Sequence, residues 1–282
     1  TDEQQELSRE FMSKSAQIYY QYYRRDQGSF CIIAFPSPEI GEHFPEIFAD
    51  TLKLNLLDSM HYAKIQQNII DVLDKADYVN VKGKPGNDTD INVKLHPLQN
   101  PDKETNFENC VADVNIPVGE VFTSPLLTGT NGTLHIDDIY LGSLRFYNLK
   151  IQFEDGWIKG YSCTNFDDPE EGKKYIYENL LLPHKTLPIG EFAIGTNTLA
   201  YQMAKKYDIL PLLPILIIEK MGPNFAIGDT CFSYEEDSPH PSFVNSKEMI
   251  AVDNEKSITR KEDPLNAYIH KHIDITLPYE LL

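Results

Sequence analysis

Apolar residues return at helical spacing over residues 5–24, where Leu7, Phe11, Ile18 and Tyr22 share a stripe with the small Ser15. This pattern predicts an amphipathic helix broken by Gly28. Residues 29–35 form a short apolar run closed by Pro36, which predicts a buried strand. A shorter helix is expected within 38–52. Asp58 is placed to cap a third, with Tyr62, Ile65, Ile69 and Val72 on one face. Residues 78–81 read as a strand and 84–88 as a turn. Ile91, Val93 and Leu95 then alternate with polar residues, as in a half-exposed strand.

A polar linker at 99–105 separates this α/β N-terminal region, residues 1–105, from residues 106–282. The second part reads as a mixed α+β, β-rich domain. Leu149, Ile151 and Phe153 alternate up to a tight turn at Asp155-Gly156, and residues 157–161 return, which predicts a hairpin. Asp168-Pro169 supplies the cap and first turn of a helix reaching about Leu180. Residues 196–207 predict another helix, with Thr196 or Asn197 at its cap. The run 214–218 predicts a strand ending at Glu219.

Composition narrows the function classes. Apolar residues make up 41% of the 282, enough for a substantial core. Twenty-five basic against 43 acidic residues leave a net charge of −18, which argues against a nucleic-acid or anionic-membrane partner. The first twenty residues are polar and charged, unlike a secretory leader, and the apolar run 209–218 is too short to span a bilayer. The expected location is the cytoplasm, with Cys31, Cys110, Cys163 and Cys231 reduced and too widely spaced for a CxxC site.

Candidate chemistry sits on a few polar residues beside apolar runs. Asn115-Ile-Pro-Val-Gly-Glu-Val-Phe-Thr-Ser-Pro125 carries Glu120 after a turn glycine. Alone it reads as a surface glutamate. Gly190-Glu-Phe-Ala-Ile-Gly-Thr-Asn197 repeats the pattern with Glu191. On a strand from Ile269 to Leu277, His270, His272 and Asp274 would project from one face. Two carboxylates and a His-x-Asp pair form a plausible set for a divalent metal. The acidic pairs Asp137-Asp138 and Asp167-Asp168 are explained by capping and solvation. There is no GxGxxG, Walker or GxSxG motif, and Cys231, a conceivable nucleophile, reads more commonly as a buried structural thiol.

In combination these segments resemble the aminopeptidase T (thermophilic aminopeptidase, aminopeptidase S) family of metallopeptidases. The Gly-Glu-Val-Phe-Thr run, the second glutamate segment, Glu219-Lys-Met-Gly-Pro-Asn-Phe-Ala-Ile-Gly228 and His272-Ile-Asp274 follow the family's order. The likeness covers residues 110–282 best. The early part of the family's N-terminal domain has no counterpart, so residues 1–105 are expected to be the later part of a larger domain, and the chain, which begins at Thr1, a fragment or a shorter branch of the family. The resemblance implies removal of N-terminal residues from peptides, a homodimer, and divalent ions, one or two per chain. Zinc, cobalt or manganese suits the donor set. It assigns Glu120, Glu191, His272 and Asp274 as ligands, residues 106–282 as the catalytic domain, and Glu191 as the base acting on water.

Two departures from the family pattern divide the functional expectation. Asn224 stands where the family has a histidine ligand, and Cys231 where it tends to have a tyrosine. An amide oxygen replaces imidazole poorly on such metals, and a thiol stabilises a tetrahedral intermediate poorly. His240 or His270 are the histidines available to compensate. Two readings follow: an active metallo-aminopeptidase, or a catalytically weakened homologue that binds peptide or metal without efficient turnover.

Overall fold

The computed structural model of the chain describes residues 1–23, 28 and 30–282. Helix α1, Asp2–Tyr22, opens on Thr1, which caps it reciprocally with Gln4. The expected helix to residue 24 and strand from residue 29 thus each have one end outside the described residues. The packing of α1 corrects the expected stripe. Leu7, Phe11, Ile18 and Tyr22 are exposed, and the buried residue is Ser13, whose hydroxyl donates to the carbonyl of Leu265 at 2.5 Å.

Strand β1 is confined to Ile32–Ile33, pairs in parallel with β6 (Asn115–Ile116), and leaves both isoleucines about half exposed. The buried strand expected at 29–35 is not formed there. With a single neighbour over two residues, its side chains stay largely in solvent. Helix α2 spans Phe44–Asn55. Helix α3, Ser59–Leu73, is capped by Asp58, which accepts from Met60 N and His61 N. Its inward face is Tyr62, Ala63, Gln66 and Ile70, leaving Ile65 and Val72 exposed. The helix is rotated relative to the expected face so that Gln66 can donate to Asn109 Oδ1 and the Cys110 carbonyl.

The main sheets are both five-stranded. The first contains β2 (Tyr78–Lys82), β3 (Asp90–Lys94), β8 (Leu126–Leu141), β9 (Leu144–Glu154) and β10 (Trp157–Ser162) in the order β10-β9-β8-β3-β2. Its β9–β10 hairpin turns at Asp155 and Gly156, both at positive φ, as the sequence expects. The second is antiparallel throughout, order β14-β12-β11-β7-β5, from β5 (Glu108–Cys110), β7 (Glu120–Thr123), β11 (Ile189–Gly195), β12 (Pro223–Gly228) and β14 (His272–Thr276). Short β4 (Glu104–Thr105) and β13 (Glu248–Met249) pair in parallel at the margin.

Helix α4, Pro169–Ile176, is capped by Asp168 and runs into a wider turn through Leu181. Helix α5, Thr198–Tyr207, is capped by Asn197. The expected strand at 214–218 is instead a single helical turn, α6, Ile215–Ile218. Four apolar residues carry no usable period. Ile217 and Ile218 enter a small core with α2 and α5, while the large core lies on the sheets. All four cysteines are free thiols. Among the described residues no helix is long and apolar enough to cross a membrane.

Candidate metal centre

The second sheet divides its two faces by residue type. Side chains alternate along a strand, and the cross-strand register aligns Glu191 with Ala226 and Asp274, Gly228 with His272, and Gly195 with Glu120. One face therefore carries Glu120, Glu191, Asn224, His272 and Asp274 over a floor of Ala193, Gly195, Ala226 and Gly228. The other face sends Val121, Phe192, Phe225, Ile227 and Ile275 into the large core.

The glycine before each glutamate is demanded by a close approach. A Cβ on Gly119 would lie 2.7 Å from Asn197 Cβ, at a φ of 130°. One on Gly190 would lie 2.2 Å from the carbonyl oxygen of Asp229. The Gly-Glu repetition thus marks two strands that other backbone segments cross directly beside the acidic side chain.

Three donors converge on this face. Glu191, Cys231 and His272 each offer an atom within 4.8 Å of the others, and among the described residues no other such group forms. The Cys231 thiol donates to Glu191 Oε2 at 2.6 Å, and His272 Nε2 lies 3.2 Å from the same oxygen and 3.6 Å from Asp274 Oδ1. His272 Nδ1 is 2.7 Å from the backbone carbonyl of Asp229. A carbonyl only accepts, so Nδ1 carries the proton and Nε2 is the nitrogen presented to the other donors. This is the arrangement that prepares an imidazole for a metal. The Asp229 carboxylate in turn accepts from Ile269 N and His270 N at 2.7 and 2.6 Å, fixing the entry to β14. Thiol, imidazole and carboxylate fit a borderline ion such as zinc. Burial first, and the Glu191 carboxylate second, push the Cys231 thiol well up, so it would become a ligand only when a bound ion displaces its proton to a base or to water.

Glu120 has a different neighbour. The Lys220 side chain is fully buried, and its ammonium donates to Glu120 Oε2 and, at 2.6 Å, to Glu219 Oε1. Burial opposes that charge, but Glu120 and Glu219 outweigh it and hold the ammonium well above the usual lysine range. Burial pushes Glu120 upward despite Lys220. Its second oxygen, Oε1, is buried without a hydrogen-bond partner. Neither Glu219 nor Lys220 stands out in the sequence as a site residue. Both follow an apolar run, and the signal was a charged pair at a turn, which ordinarily marks the surface.

The remaining candidates separate. Asn224 Nδ2 donates to Asp274 Oδ1 at 3.0 Å, and Asn224 Oδ1 accepts from Thr276 at 2.9 Å. His270 does not share a strand face with His272 and Asp274. Its φ of 59° turns the chain before β14 begins, and its Nδ1 faces the Tyr234 hydroxyl at 3.3 Å. His240 Nε2 is held by the Glu235 carbonyl at 2.7 Å. A cavity of about 690 Å³ opens above the centre, lined by Glu120, Glu191, Glu219, Cys231, His272 and Asp274. Phe122, Ile215, Phe232 and Tyr234 give it an apolar wall.

The model of the thermophilic metalloprotease (M29) family matches residues 2–207. A search of curated proteins gives no match. Among solved structures, wild-type AmpT from Thermus thermophilus is similar in fold, with a TM-score of 0.53 and 16% identity. The likeness covers 87% of this chain and 55% of AmpT, so the chain spans little more than half of that protein's length.

Proposed function

The chain belongs to the thermophilic metalloprotease (M29) family, and from that premise we propose that it is a metal-dependent aminopeptidase releasing N-terminal amino acids from peptides. The observation that carries this reading is the convergence of Glu191, Cys231 and His272 under a cavity large enough for a peptide end. Glu191, His272 and Cys231 would hold a divalent ion, with Asp274 beside His272. When bound, zinc, cobalt or manganese supplies the Lewis acidity that carbonyl polarisation and water activation at neutral pH require. Glu191 takes the proton of the attacking water as general base. The unpaired Oε1 of Glu120 accepts the substrate's α-ammonium, which restricts cleavage to chain ends. The first side chain of the peptide packs on the wall of Phe122, Phe232 and Tyr234.

The same proposal includes a homodimer and a cytoplasmic location. The exposed apolar stripe of α1 and the four free thiols support them. Sedimentation of the purified chain tests the dimer.

Asn224, committed to Asp274 and Thr276, supports a second reading, a homologue that binds peptide or metal without efficient turnover. Metal-loaded protein assayed on aminoacyl reporter substrates, beside Asn224→His, separates the two. Cleavage by the native chain is expected. A silent native chain and an active histidine variant would establish the weakened homologue instead.

A further inference from the structure

We propose that this centre is built for one divalent ion, ligated by Glu191, Cys231 and His272, with the buried Lys220 ammonium occupying the place of a second cation between Glu120 and Glu219. The inference rests on the aminopeptidase reading only in taking the cavity as the reaction site.

Its grounds are geometric. Glu120 and Glu219 would be the natural carboxylates for a second ion on this side of the cavity, and both are already engaged by one ammonium. The Lys220 side chain is entirely buried. Its main chain presses on Gly195, where an added Cβ would stand 2.3 Å from the Lys220 carbonyl carbon. Asn197 N donates to its carbonyl oxygen at 2.9 Å. An ion entering between the two glutamates would have to displace the ammonium that now pairs with both, and an unpaired buried charge is among the costliest things a protein can hold. On the opposite side of Asp274, Asn224 turns its amide donor toward the carboxylate rather than an oxygen toward an ion. The remaining donors, a thiol, an imidazole and a carboxylate, make a three-ligand set with room for substrate in the fourth position.

The two cations differ in what they contribute. A fixed ammonium neutralises and orients carboxylates but does not exchange ligands, so Lys220 holds Glu120 in place, while an ion held by Glu191, Cys231 and His272 would supply the exchangeable position.

The test uses the full chain stripped of metal and titrated with Co(II). One equivalent is expected, with a near-ultraviolet sulfur-to-cobalt charge-transfer band that disappears in Cys231→Ser. Lys220→Ala, with its glutamates released, is expected to take up a second equivalent. Should that variant fail to fold, the native stoichiometry and the Cys231→Ser spectrum decide alone. Two equivalents in the native chain, or one equivalent with a spectrum indifferent to Cys231→Ser, would overturn the inference. Two equivalents with reporter cleavage would leave the aminopeptidase reading standing. One thiolate-bound equivalent without cleavage would remove that reading and leave this one.

Discussion

Asn224 donates its side-chain amide to Asp274 at 3.0 Å across adjacent strands, and receives the Thr276 hydroxyl on its oxygen at 2.9 Å. Both polar ends of a fully buried amide are therefore used inside the sheet. Asn224→Ala removes a donor from Asp274 and an acceptor from Thr276. A loss of about 1–3 kcal/mol is expected, read as a lower urea midpoint at unchanged slope. A midpoint equal to the native one would mean that the pair contributes nothing to stability.

Glu191 contacts both other donors, so its removal should undo the ion site rather than weaken one bond. After equilibration with zinc and dialysis, elemental analysis of Glu191→Ala is expected to find no retained ion. Full retention would move the centre away from this sheet face.

Gly195 lies beneath the Lys220 backbone, 2.3 Å from the carbonyl carbon by way of an added Cβ. Backbone cannot yield as a side-chain tip does. Gly195→Ala should cost about 1–3 kcal/mol as overpacking and shift Lys220 away from Glu120. Thermal unfolding reports the first effect. An unshifted transition would show that the turn at 219–221 has slack.

Asp50 on α2 accepts from Lys53 at 2.7 Å and from Lys206 on α5 at 3.1 Å, and these contacts lower its carboxyl to about 2. The folded state thus binds its proton less readily than the unfolded state. Stability from this group is present above the ordinary value of 3.8 and is lost as pH falls toward 2. The contact is near the surface, so Asp50→Asn should cost at most about 1 kcal/mol at pH 7. The gap in Tm between native and variant should narrow as pH falls from 3.8 toward about 2. A constant gap would place the effect in packing instead of charge.

The candidate site was legible where the backbone imposes a short period. His272 and Asp274 lie two apart on a strand, and the two Gly-Glu pairs mark close crossings that only glycine permits. It was obscured where burial runs against residue type. Glu219 ends an expected strand and Lys220 follows it with no role assigned, yet both are among the most enclosed charges of the described residues. The burial of Lys220 draws on Glu120, a carboxylate 100 residues away, as well as on its neighbour Glu219. The turn α6 and the inward face of α3 were misjudged for a related reason. Four apolar residues fit either period, and Gln66 faces inward where Asn109, the Cys110 carbonyl and the Thr196 hydroxyl meet it. His270 escaped because one left-handed residue cancels a strand face that alternation would have continued.

The centre's partners are distant along the chain: Cys231 and Glu191 are separated by 40 residues, Lys220 and Glu120 by 100. Loops of that length close late and slowly. Neither the ion pair nor the ion site can exist in a collapsed chain whose β7, β11, β12 and β14 are still apart. During refolding, capture of an ion should accordingly follow the closing of the sheet, and the first bound ion would time the completion of the fold.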